Sequence, residues 1–285
     1  MNRRSRLLCG VALILSALAG CTAASDGETE PSDSDEDAIA QGFDRDVVLS
    51  DEELTNTGAL DERRIEAFLA KTPYGTRAPI ADLVVHGVPI AKAIHDRSVK
   101  YGLSPLVFLT RAQLEGSLLT KKPANPDVLD FAFGCGCYDG EACKEEYRGF
   151  DLQMDCLGKT MRQHLDKLAQ GKATASGWKV GVTKTTLDPL PVTPKTRATA
   201  ALYTYAPWVG SAGGGKARIG GNSLHYVIWK KLAVVALKDG GAPADASANE
   251  AGIPVDNPPA DAGASGWHYR SNYLPAQSDL TPLAW

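Results

Sequence analysis

The chain lacks any apolar run of the roughly 20 residues that a membrane-spanning helix needs, which excludes a multi-pass membrane protein. It also lacks an excess of basic charge. Lys and Arg number 30 against 34 Asp and Glu, the formal charge is −4, and no basic stripe occurs. The electrostatic footprint of sequence-independent nucleic-acid binding is missing, so no nucleic acid is expected as a partner. His86, His95, His164, His225 and His268 show no H-E-x-x-H spacing, so no metal is expected and these side chains are assigned to the surface or to helix packing. There is no G-x-S-x-G elbow for a serine nucleophile. Residues 210–217 fit G-x4-G-K, but Ala217 stands where a phosphate loop requires a Mg²⁺-binding Ser or Thr. No cofactor is expected.

What is present is an ordinary globular composition, 44% hydrophobic and 22% charged, close to soluble averages. At roughly 100 to 200 residues per domain, 285 residues could hold two domains, but the segments at both ends reduce this to one. Arg3, Arg4 and Arg6 precede an apolar stretch at residues 7–19, which closes on Leu18-Ala19-Gly20-Cys21. Charged, apolar and small-residue regions in that order form a secretory signal peptide, assigned to residues 1–20. Leu18-Ala19-Gly20-Cys21 resembles the lipobox of bacterial lipoproteins. That resemblance implies lipidation of Cys21, an exported chain anchored to the cell envelope, and, with Thr22 rather than Asp following, the outer membrane. Acyl chains at Cys21 would tie the protein to the membrane.

Loss of residues 1–20 removes three Arg and no acid, leaving 27 basic against 34 acidic residues and a charge of −7. The excess sits in residues 21–46, rich in acids, Ser and Thr, which read as a flexible tether that cannot bury enough apolar surface to fold. Residues 239–266, rich in Gly, Ala and Pro, read as a linker, and residues 267–285 as an aromatic tail.

In an oxidising compartment the four remaining cysteines, Cys135, Cys137, Cys143 and Cys156, predict two disulfides in one of three connectivities. Their C-x-C-x5-C-x12-C spacing lacks the C-x2-C knuckles of zinc ribbons. Elsewhere helical signals dominate. Ser50 with Glu53 offers a capping box, Asp61 caps a helix bearing Ile65, Phe68 and Leu69, and Pro89 opens one that Gly102 closes. Ser104-Pro105 launches a helix over 106–119, and further helices fit 154–168, 196–205 and 222–237. Trp178, Val180 and Val182 alternate with polar residues, predicting a short strand that pairs with 185–190 in a hairpin. The fold class expected is mainly α (α+β), a helical domain with a small β-hairpin, flanked by flexible segments.

Glu115 is the most informative residue, because helical spacing from Phe108 through Ala112 to Leu119 places it on an apolar stripe. Burial there would favour the protonated acid, able to donate to a leaving oxygen. Its surroundings extend the argument. Leu103-Ser104-Pro105 followed by an apolar helix ending in Gln113-Leu114-Glu115 resembles the catalytic helix of the lysozyme-like superfamily of peptidoglycan hydrolases and lytic transglycosylases. Gly149-Phe150-Asp151-Leu152-Gln153 is similar to that superfamily's Gly-(Leu/Phe)-x-Gln turn, and residues 198–207, with Tyr203 and Pro207, to its Ala-x-x-Tyr-Asn-x-x-Pro helix. The likeness spans residues 47–238.

The resemblance implies a lysozyme-like domain that cleaves the MurNAc-GlcNAc β-1,4 bond of peptidoglycan glycan strands. Glu115 would be the general acid, Gly149, Phe150 and Gln153 would bind sugar, and Tyr203 would set a hydroxyl near the acid. A non-catalytic glycan-binding or envelope-interaction lipoprotein on the same fold is the alternative. Two positions depart from the pattern: Gly116 stands where many relatives carry Ser, and Thr204 replaces the Asn. A hydrolase also wants a second carboxylate. Asp127, Asp130, Asp139, Glu141, Glu145, Glu146 and Asp151 are candidates with nothing to separate them, whereas a lytic transglycosylase needs one acid because the substrate's own hydroxyl attacks.

Overall fold

The computed structural model describes residues 41–137, 142–215 and 220–238. The signal segment, Cys21, most of the tether, Asp139, Glu141, the linker and the aromatic tail lie outside the described residues. Eight helices occur among the described residues: α1 Asp51–Thr55, α2 Glu62–Ala70, α3 Ile90–Tyr101, α4 Pro105–Gly116, α5 Pro126–Asp130, α6 Phe150–Ala169, α7 Arg197–Tyr205 and α8 Gly221–Lys238. None is long and apolar enough to cross a membrane. Two small antiparallel ladders complete the mainly helical architecture, β1 Val84–Val85 with β2 Val88–Pro89 and β3 Lys184–Thr185 with β4 Pro191–Val192.

Local chemistry sets the helix starts. Ser50 Oγ accepts from Glu53 N while Glu53 Oε2 accepts from Ser50 N, the reciprocal pair of a capping box at α1. Asp61 caps α2 through Arg64 N, Ser104 caps α4 with Pro105 in its first turn, and Thr196 caps α7 through Thr199 N. Gly102, at φ 60°, ends α3 in the left-handed conformation that costs glycine no Cβ clash.

The core gathers around α4. Every residue from Pro105 to Glu115 is buried, the all-round burial of a helix that neighbours cover on every side. It packs along α8 and against α3, while α6 packs along α7 and α3. Charged residues inside such a helix cannot turn to water.

Three expectations change. The helix launched by Ser104 stops at Gly116 and not at 119, because Ser117 adopts φ 53° and folds the chain back. Gln113 stabilises that reversal, accepting from Leu119 N at 3.1 Å and donating to Thr120 Oγ1 at 3.2 Å. The strand expected at residues 178–182 is absent. Trp178 is buried, but Val180 and Val182 are 37% and 47% exposed, and Gly181 at φ 74° turns the chain between them. The period-two pattern there follows one anchored Trp and an exposed turn, and the hairpin forms further on, Lys184–Thr185 against Pro191–Val192. A second hairpin at 84–89 was not anticipated; its two-residue turn, His86-Gly87, has φ of 50° and 80°, the geometry that suits a tight hairpin.

Two disulfides form, Cys135–Cys156 and Cys137–Cys143. The first ties the segment after α5 to α6.

Candidate functional site

Glu115 occupies the last turn of α4 and is 1% exposed. One turn earlier on the same helix lies Arg111, fully buried, with Nη1 3.6 Å from Glu115 Oε1. The pair sits at i,i+4, the spacing that brings opposite charges together on a helix face. Two forces therefore act on the carboxyl in opposite directions: removal from water disfavours its charge and the guanidinium favours it. Burial alone does not set its state.

Two more helices close on this pair. The Arg111 guanidinium lies over the Tyr205 ring at 4.4 Å, and the Tyr205 hydroxyl donates to Phe133 O at 2.5 Å. Burial, with the nearby Glu115 charge adding to it, pushes the Tyr205 phenol well above its ordinary range. From α8, His225 is 1% exposed, and burial together with Arg111 holds its imidazole well below the ordinary value, so it stays neutral.

A backbone segment, Phe133 to Cys135, covers the carboxyl. A Cβ built on Gly134 would lie 3.8 Å from Glu115 Oε2, and Gly134 has φ 70°, which favours a residue without Cβ. Gly134 also lines a groove of about 470 Å³ together with Asp127, Phe131, Glu145 and Arg148. That size falls within the range of small-molecule clefts.

Arg148 organises the groove. Its guanidinium donates to Asp127 Oδ1 at 2.8 Å, Asp130 Oδ2 at 2.7 Å and both oxygens of Glu145, and stacks on Phe131 at 4.7 Å. Hydrogen bonding to Arg148 holds the Glu145 carboxyl below its ordinary range. Three of the acids considered as a second carboxylate thus converge on one cation. Asp151 instead meets His86 Nε2 at 3.0 Å, and Glu146 is exposed.

Gln153 is completely buried, and its amide is engaged by the chain itself. Oε1 accepts from Cys135 N at 3.0 Å and Phe133 N at 3.3 Å, and Nε2 donates to the carbonyls of Cys135 and Tyr147 at 2.8 Å each. These bonds strap down the segment beside Glu115. Gly149 begins α6 at φ 122° with its N–H on Asp130 O, and Phe150 is buried edge-to-face against Phe133 at 5.3 Å. Phe150 thus packs against the covering segment at Phe133.

Tyr203, expected to set a hydroxyl near the acid, has other neighbours. It stacks on Trp178 at 5.0 Å in the core, and the charges that act on its hydroxyl are those of Asp188, Arg45, Asp46 and Asp44. The tyrosine near the acid is Tyr205, two positions along the same helix, hence on a different face. Gly116 and Thr204 each have close local neighbours. A Cβ on Gly116 would come within 2.9 Å of Leu118 Cγ, and Thr204 bonds Thr174 Oγ1 at 2.7 Å.

Arg111, Tyr205 and His225 were missed by the sequence reading. For Arg111 the signal was available, a cation four residues before Glu115 within an otherwise apolar run. Among the described residues no group of three or more His, Cys, Asp or Glu could hold a metal ion. Compared with known family models, curated proteins and solved structures, the chain has no match.

Proposed function

We propose that this chain is a lysozyme-like protein that cleaves the MurNAc-GlcNAc β-1,4 bond of peptidoglycan, with Glu115 as its general acid. One observation supports this above the rest: Gly134 both lies close to the carboxyl at the end of the central helix and lines a groove bordered by Asp127 and Glu145. A glycan strand in the groove meets the acid only when Gly134 moves between Phe133 and Cys135, which Gln153 and the Cys135–Cys156 disulfide hold. The proton passes from Glu115 to the glycosidic oxygen as the bond to the anomeric carbon breaks. A hydroxyl of the same sugar, or a water, then attacks that carbon and returns its proton to the carboxylate. With Asp127, Asp130 and Glu145 tied to Arg148, attack by the sugar's own hydroxyl is the simpler route. On this reading the activity belongs to an exported chain that is lipid-anchored through Cys21 at the outer membrane.

A second reading, a non-catalytic glycan-binding protein on the same fold, is favoured by the cover itself, since Glu115 is closed off and Gln153 is engaged internally. Incubating the mature chain with purified sacculi separates the two. Release of soluble muropeptides supports cleavage, co-sedimentation without release supports binding alone, and neither outcome leaves both readings overturned.

A further inference from the structure

We propose that Arg111 is the positioning residue for Glu115: held over the Tyr205 ring, its guanidinium fixes the direction of the carboxyl and answers the charge left when the proton departs. The inference rests on the reading of Glu115 as the acid.

The geometry carries it. The two side chains lie 3.6 Å apart, both inside the core, on consecutive turns of a helix buried from Pro105 onward. Arg111 has little freedom, because its guanidinium lies 4.4 Å from the Tyr205 ring and that ring is fixed by the bond from its hydroxyl to Phe133 O. The same carbonyl belongs to the segment covering Glu115, so acid, cation, ring and cover form one connected unit. Among the described residues, Tyr205 on α7 and His225 on α8 face the pair, and burial keeps both uncharged. Neither can neutralise a carboxylate.

The chemistry needs such a partner. When the O–H bond of Glu115 breaks and a new one forms on the leaving oxygen, the carboxyl becomes an anion inside the core. An unpaired buried carboxylate is strongly disfavoured, whereas a preorganised cation lowers the energy of the transition state in which that charge develops. The same cation keeps the carboxylate ready to take up the proton of the attacking hydroxyl.

The test uses the mature chain as wild type, Arg111→Met, Arg111→Lys and Tyr205→Phe. Cleavage of a soluble MurNAc-GlcNAc oligosaccharide is followed against pH, and the Glu115 carboxyl is titrated by carbon-13 NMR, its signal assigned with Glu115→Gln. Arg111→Met should lower kcat by about 100-fold, the effect of a misplaced reacting group, leave KM nearly unchanged, and move both the alkaline limb of the activity profile and the Glu115 midpoint to higher pH. Arg111→Lys should restore the midpoint but not the full kcat, since an ammonium lacks the planar guanidinium that lies over the ring. Tyr205→Phe keeps the ring and should keep the midpoint. An unmoved midpoint and limb in Arg111→Met overturn the proposal, as does a wild-type kcat in Arg111→Lys should the Met variant fail to fold. A wild-type chain that releases nothing while the midpoint still moves sinks the cleavage reading, and the positioning role with it. Cleavage with an unmoved midpoint sinks the positioning role alone.

Discussion

Gln153 grips Cys135 from both sides, its Oε1 accepting from the Cys135 N–H at 3.0 Å and its Nε2 donating to the Cys135 carbonyl at 2.8 Å. The same residue is tied to α6 by the Cys135–Cys156 disulfide. Covalent and hydrogen-bonded restraints thus converge on the segment that shields Glu115.

Replacing Gln153 by Leu should therefore act on stability. It would strand the N–H groups of Phe133 and Cys135 and the carbonyls of Cys135 and Tyr147, at about 1 to 3 kcal/mol for each buried group left unsatisfied. We expect a total loss of roughly 3 kcal/mol or more in urea unfolding. A well-folded Gln153→Leu protein that has lost only glycan binding would favour the sugar-contact role instead.

The two disulfides should contribute unequally. Cys135–Cys156 spans 21 positions and Cys137–Cys143 spans 6, and loop-closure entropy gives about 3 and about 2 kcal/mol respectively. Peptide mapping of the non-reduced protein should yield these two pairs. Paired serine replacements should then lower the melting temperature more for the first than for the second.

Acid should weaken the fold through its buried imidazoles. Burial, and to a lesser degree Lys167, holds His164 at about 4 against an ordinary 6.5. Such a group is protonated first in the unfolded chain, so its contribution is complete above about pH 6.5 and is lost as pH falls toward 4, to the extent of about 3 kcal/mol. His225 acts in the same direction. Unfolding free energies between pH 7 and pH 4 should show this decline, less steeply in His164→Leu. An unchanged slope in that variant would remove His164 from the account.

Lipidation is tested by Cys21→Ala, which should leave the protein in the soluble fraction. Persistence in carbonate-washed membranes would argue for a different attachment.

Much of the fold was legible because helix starts are local events. Ser50, Asp61, Ser104-Pro105 and Gly102 each act within a few residues of the backbone they cap. The end of α4 was not legible, since it depends on Ser117 entering the left-handed region while Gln113 reaches forward to Leu119. The site was legible in part. Periodicity singled out Glu115, and the family likeness led to Gln153, but the contact between Gln153 and Cys135 joins residues 18 apart in the chain, and no local pattern announces it. Tyr203 and Tyr205 could not be separated by motif because the choice depends on which face of α7 meets α4. Burial of both partners, which decides how strongly Arg111 bears on Glu115, is likewise a property of the assembled core.

The central claim is that Glu115 donates the proton that breaks the glycan. Glu115→Gln changes the group that lies 3.6 Å from the buried Arg111, so it is to be compared with wild type where circular dichroism shows both folded. Mass spectrometry of muropeptides released from sacculi then tests the claim most directly. We predict release by wild type and at least a ~100-fold slower release per folded molecule by Glu115→Gln, the lower range of general acid catalysis. Equal rates from the two proteins would contradict it.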